Sequence, residues 1–236
     1  MSRVGIVVGM QSEAAQVLAA WPEQKRDRQP LILISAADPR RAYEGAKSLI
    51  AEGAQALLSF GLAGGLVPTL ETGDTVVASA VMLPDGRRIE THLAWRNALA
   101  AALNNRSRIA IGAIVGQDRA VVTRTTKAAL RLRTGAIAVD MESHAAAAAA
   151  EEAGKPFMAL RVILDPAGRT IPSTALAGLG SQGESRALPV LARLLLKPWE
   201  LSALVALGRA NKRALAVLGS LAADLAPSFV LGVQLR

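Results

Sequence analysis

From Val4 to about residue 165, short aliphatic and β-branched runs alternate with alanine-rich stretches at helical spacing, and this alternation constrains the fold more than any other feature of the chain. Runs near 3–9, 31–35, 56–61, 74–83, 108–115, 136–140 and 157–163 read as strands, and segments near 12–21, 39–53, 93–104, 125–133 and 141–154 read as helices. Apolar strands separated by helices are buried on both faces. The expected fold class is therefore α/β, with three layers (α/β/α) around a central mixed, mostly parallel, twisted sheet. The mixed character comes from Pro84-Asp85-Gly86, a hairpin signal directly after a strand. The 236 residues are 51% hydrophobic, enough to fill one core, and no repeat or long linker divides them. Ala145 to Ala150 reads as a helix that approaches its neighbours closely, because alanine favours helix and adds little bulk. A single domain spanning 1–236 is expected.

Two segments differ from this pattern. Residues 166–186 hold Gly178, Gly180 and Gly183 close together and read as a mobile loop beside a site. Residues 187–236 read as a basic amphipathic helical tail, with Leu204, Leu207, Leu215, Leu218, Leu221 and Leu225 on one side of a wheel and Arg209, Lys212 and Arg213 on the other. The chain carries a net charge of +8, and residues 186–236 contribute seven basic residues against Glu200 and Asp224, or +5 of it. Aromatic residues are few and scattered, so the charge lacks the stacking platforms of a nucleic-acid surface. Such a leucine face is most often core packing with a solvated outer side; the sharper reading is apolar cover for a polycyclic hydrocarbon beside a basic surface for anionic lipid headgroups.

Composition narrows the chemistry. With no cysteine there is no disulfide and no thiolate nucleophile, and His92 and His144 sit in no zinc-binding frame, so no metal and no cofactor is expected. The apolar start at Val4–Met10 is broken at once by Gln11, Ser12 and Glu13, and no run approaches the ~18 apolar residues of a membrane span. A cytoplasmic protein is expected, if anywhere at the inner face of the membrane.

Four strand ends carry residues suited to chemistry: Gly9-Met10-Gln11-Ser12-Glu13, Phe60-Gly61-Leu62-Ala63-Gly64-Gly65-Leu66, Val139-Asp140-Met141-Glu142-Ser143, and Arg161-Val162-Ile163-Leu164-Asp165-Pro166-Ala167. Each alone has a structural explanation: Glu13, Asp140 and Glu142 as acids in a first helical turn, the glycines as a tight turn, Asp165 as a turn starter. Their order and strand context together resemble the nucleoside phosphorylase and nucleosidase family, over residues 3 to about 170. The likeness is to the branch with the methylthioadenosine/S-adenosylhomocysteine nucleosidases. The forms Val-Asp-Met-Glu-Ser and Phe-Gly-Leu-Ala-Gly-Gly-Leu, with the basic leucine-rich tail, resemble more narrowly its hopanoid-associated members, which remove adenine from adenosylhopane.

That resemblance implies a three-layer nucleoside phosphorylase-type fold and cleavage of an N-glycosidic bond without a metal. It makes Asp165 the general acid toward the purine and Glu13 the base that activates the nucleophile, with Met141 and Glu142 holding the ribose. Gly61, Leu62, Ala63 and Gly64 become a turn lining the nucleophile and ribose, and Ala120, Val121, Asp140 and Leu164 the surroundings of the base. Leu62 stands where phosphate-using relatives carry a serine, which favours water over phosphate as nucleophile. Arg40 and Arg41, opening a helix after Asp38-Pro39, are candidates for an anion, and phosphate is a candidate co-substrate. Leu164 replaces a serine before the acid, Gly168 a later aspartate, and the 116–121 stretch lacks its aromatic. The implied partner is a lipid-linked nucleoside, with a homo-oligomer expected and nucleic acid not. A soluble methylthioadenosine-type nucleosidase or purine nucleoside phosphorylase is the enzyme alternative, and a non-catalytic nucleoside- or lipid-binding module is the alternative of another class.

Overall fold

Eight strands and seven α-helices appear in the computed structural model, which describes residues 3–21, 29–103 and 108–226. In chain order they are β1 (Arg3–Val8), α1 (Gln11–Ala19), β2 (Leu31–Ile34), α2 (Pro39–Ala51), β3 (Ala54–Gly65), β4 (Thr75–Met82), β5 (Arg88–Glu90), α3 (Leu93–Ala102), β6 (Ile109–Gly116), α4 (Arg124–Thr134), β7 (Ala138–Asp140), α5 (Ser143–Glu152), β8 (Phe157–Asp165), α6 (Ala187–Leu196) and α7 (Leu201–Leu225). The expected end of a helix at residue 104 and of the tail at 227–236, Arg236 included, lie outside the described residues.

Local chemistry sets the boundaries. The Asp38 side chain accepts from the backbone N–H groups of Arg40 and Arg41, and Pro39 fills the first helical position of α2, where a missing N–H costs nothing. Thr123 and Thr126 cap α4 reciprocally, and Gly135 ends it in the left-handed region at φ 67°.

The sheet runs β2-β1-β3-β7-β6-β4-β5, and β8 pairs with both β3 and β4. Strands β3, β8, β4, β6 and β7 thus close into a ring. Pairs β1/β2, β1/β3, β3/β8, β4/β6 and β6/β7 are parallel, whereas β3/β7, β4/β5 and β4/β8 are antiparallel. The β4/β5 hairpin is the one that Pro84-Asp85-Gly86 announces, although β5 itself is too short to read from sequence. Alternate side chains feed two layers. Val4, Ile6 and Val8 of β1, with Met158, Leu160 and Val162 of β8, pack against α1, α3 and α7, and Val7, Phe157, Ala159 and Ile163 pack against α2 and α5. The alanines of α5 are almost all buried there, which explains their run. This is the three-layer α/β arrangement that the alternation implies.

The tail divides in two. The second half of α7 buries Ala214, Leu218, Leu221, Ala222 and Leu225 against the α1 side of the sheet, so these leucines are core. No residue of α6 is buried: Leu188, Leu191, Leu195 and Leu196 stand 55–85% exposed, with Trp199 at 72% just beyond. Among the described residues no helix is long and apolar enough to cross a membrane.

Candidate active site

The second half of β3 and the ends of β7 and β8 converge on a cavity of about 150 Å³. The sheet is responsible for this convergence. β3 runs between β8 and β7, pairing Gly64 with both Asp165 and Val139, so three strands deliver their functional residues within a few ångströms.

On one side, buried carboxylates gather around one guanidinium. Arg161, fully buried in β8, places Nη2 2.5 Å from Asp140 Oδ2 and 3.2 Å from Glu142 Oε2, and hydrogen-bonds the hydroxyls of Ser59 and Ser143. Its Nη1 is buried with no hydrogen-bond partner among the described residues. Glu13 lies beside it, its Oε2 accepting from the backbone N–H groups of Gly9 (2.7 Å) and Met10 (3.0 Å) and its Oε1 from that of Leu62 (2.8 Å). A Cβ at position 61 would stand 2.6 Å from Arg161 Nη1 and 2.8 Å from the Glu13 carboxyl, so only glycine lets the arginine and the acid approach the strand. Burial pushes the Glu13 carboxyl above its ordinary value, against the Arg161 charge and three backbone N–H groups. Burial likewise pushes Glu142 up to about 8, with Arg161 opposing and the Asp140 and Glu13 charges adding to the rise. Of these acids, Glu142 is the one held in its protonated form near neutral pH.

On the other side a single acid meets a single cation. Lys127 of α4 is fully buried and forms an ion pair with Asp165 Oδ2. Its ammonium also donates to the carbonyls of Asp165 (3.2 Å), Pro166 (2.9 Å) and Arg169 (3.1 Å). Burial pushes the Asp165 carboxyl up to about 6, against the pull of Lys127.

The walls between are mostly apolar. Leu62, Ala63, Gly64, Ala120, Val121, Met141, Leu164 and Ile171 line the cavity, with Arg119 and Glu142 adding charged groups. The segment after β8 crosses this opening: Ile171 N–H donates to Val122 C=O, and Gln11 N–H to Gly183 C=O.

Most expected site residues therefore come together, with three corrections. Gly61 to Gly64 form no turn but continue β3, because β8 and β7 supply ladder partners as far as Gly65. Asp140 reaches the cavity wall, yet both its oxygens are engaged by Ser143 and Arg161, so it orients the arginine rather than meeting a base. Arg40 and Arg41 do not line the cavity. Their backbone N–H groups, which would bind an anion, are taken by Asp38, and the Arg41 guanidinium donates to Ser181 C=O. Sequence reasoning missed Arg161 and Lys127. The signal for Arg161 was a charge inside the apolar run Phe157–Leu164, which a buried strand tolerates only when the charge is paired. Lys127, on a helix with three arginines, gave none.

A family model described as Phosphorylase superfamily matches residues 38–197. No curated protein matches the chain. Solved structures are similar in fold. The 5′-methylthioadenosine/S-adenosylhomocysteine nucleosidase of Neisseria meningitidis, in complex with methylthio-immucillin-A, is 18% identical with a TM-score of 0.74, over 97% of this chain and 100% of that one. The corresponding Helicobacter pylori nucleosidase is 21% identical with a TM-score of 0.67, over 83% and 98%. The futalosine hydrolase of the same organism is 23% identical with a TM-score of 0.62, over 70% and 88%.

Proposed function

The chain belongs to the phosphorylase superfamily, and on that premise we propose that it cleaves the N-glycosidic bond of an adenine nucleoside with water as nucleophile. The observation that carries this reading is one cavity lined by both Glu142 and Asp165, with Arg161 paired to Glu142 and Glu13 beside them. Breaking the bond sends its electron pair into the purine and leaves an oxocarbenium-like sugar. Asp165 protonates the base at N7 as the bond lengthens. Glu142 takes hydrogen bonds from the ribose hydroxyls, and Met141 packs beneath the ring. A water beside Glu13 and the unpartnered Nη1 of Arg161 attacks C1′ and gives its proton to Glu13. Water is preferred because the Glu13 carboxylate already holds the backbone N–H groups of Gly9, Met10 and Leu62 that an incoming anion would use.

The finer proposal is that the nucleoside is lipid-linked, adenosylhopane leaving as ribosylhopane. It is supported by the exposed leucines of α6, flanked by Arg186, Arg193 and Lys197, directly after the segment that crosses the cavity. An anionic lipid surface fits such a patch. Adenine release from adenosylhopane, measured with and without phosphate, tests the reading, and equal rates are expected. A strict phosphate requirement would remove Glu13 as base, preferential turnover of methylthioadenosine would point to a soluble nucleosidase, and adenine binding without turnover would mark a non-catalytic module. Flotation with phosphatidylglycerol vesicles, lost in a Leu191→Glu/Leu195→Glu variant, tests the membrane contact separately.

A further inference from the structure

Leu164 stands directly before Asp165, and nothing on that neighbour can hold the carboxylate in place. The structure supplies the hold from another element. Lys127 reaches across from α4 with its ammonium fully buried, facing one carboxylate oxygen and three backbone carbonyls of the 165–169 turn. An ammonium has three protons, so these acceptors saturate it and fix its position. A second tie, Ile171 N–H to Val122 C=O, keeps the same turn against the start of α4. The charged groups facing Asp165 are Lys127 from α4 and, farther off, Arg169 from its own turn. A lysine is excluded from water only when its charge is matched, and here the match is the acid that borders the cavity.

The geometry points to Lys127 as a positioning residue for leaving-group protonation: it holds Asp165 by Oδ2, leaves Oδ1 for the purine, and supplies the counter-charge for the carboxylate that forms when the proton leaves. The inference rests on reading the cavity as an adenine-nucleoside site. In the step, the C1′–N9 bond breaks with its electron pair passing to the base, the Asp165 proton moves to N7, and the new carboxylate faces an ammonium that keeps all its protons. No water need enter to solvate the charge, and the preorganised cation lowers the barrier to transfer.

Two substrates separate this role from a merely structural one. Adenosylhopane needs a proton on its leaving base; p-nitrophenyl β-D-ribofuranoside carries a leaving group that departs without one. In the full chain, Lys127→Met should lower plateau kcat for adenine release on the order of 10- to 100-fold, the scale of general acid catalysis. Release of p-nitrophenol should stay within about 3-fold, since no proton transfer is involved, and Lys127→Arg should restore most of the adenine rate. Lys127→Gln, which keeps hydrogen bonding and loses only the charge, should move the alkaline limb of adenine release to higher pH while lowering its plateau. Equal losses on both substrates, or an alkaline limb that Lys127→Gln leaves in place, would overturn the assignment. If Lys127→Met does not fold, the limb in Lys127→Gln decides alone. A wild-type protein that releases no adenine would sink the nucleosidase reading instead, which keeps the two failures apart.

Discussion

The two sides of the cavity solve the same problem, burying acids, in opposite ways. On the Glu13 side Arg161 faces three carboxylates, whereas on the Asp165 side Lys127 faces one. Burial pushes Glu13, Glu142 and Asp165 up, and the neighbouring charges decide how far. Hence Glu142 rises to about 8 and Asp165 only to about 6. A shared cation leaves Glu142 holding its proton past neutrality; a dedicated one leaves Asp165 an acid that releases its proton near neutrality.

The comparison breaks most severely at Arg161. Arg161→Met would leave Asp140, Glu142 and Glu13 buried without a cation, and a loss of about 3–5 kcal/mol in chemical denaturation is expected, with no adenine release. A variant near wild-type stability would show that the acids are held by hydrogen bonds alone. Asp165→Asn is expected to keep its fold, because the amide still accepts from Lys127. Adenine release should fall on the order of 10²- to 10⁴-fold, and turnover at the wild-type rate would defeat the assignment.

Smaller effects sharpen the contrast. Both acids are raised in the folded state, so each binds its proton more tightly folded than unfolded. Its contribution to stability is complete below the unfolded value and is lost as pH rises through the folded one. For Asp165 that window runs from 3.8 to about 6, and for Glu142 from 4.5 to about 8. Melting temperature should therefore fall between pH 6 and 8 chiefly through the Glu142 side, and Glu142→Gln should flatten that decline by about 2–4 °C. Parallel melting curves for the two proteins would show that Glu142 does not hold the proton. Smallest of all, Arg41→Ala should change adenine release less than 2-fold, roughly, and stability by about 0.5 kcal/mol or less, since Arg41 touches neither side. A selective loss of activity there would restore the anion site.

What could be read in advance was local. Strand ends, helix caps and the residues that punctuate them are properties of short segments, and Asp165, Glu142 and Met141 occupy such ends. The alternation of aliphatic runs with alanine-rich stretches announces the helical layers on both faces of the sheet. The cations were harder because a cation's burial is decided by its partner. Lys127 looks like one more solvated charge beside Arg124, Arg131 and Arg133 until the 165–169 turn, 38 residues farther on, closes over it. The leucines of α7 and α6 carry the same periodicity, and only packing shows that the second half of α7 faces α1 while α6 faces outward. The glycines of β3 were read as a turn because their composition suits one; two neighbouring strands made them a ladder.

The closure of β3, β8, β4, β6 and β7 has a consequence for the protein in a crowded solution. A ring reduces the free margin of a sheet, and among the described residues the outermost strands, β2 and β5, have only four and three residues. Arg88 and Glu90 of β5 point charge toward solvent and bond to each other, which discourages a foreign strand from docking there. Short outer strands and the charges on β5 together restrict edge-to-edge association of the sheet, the usual route to aggregation in strand-rich chains.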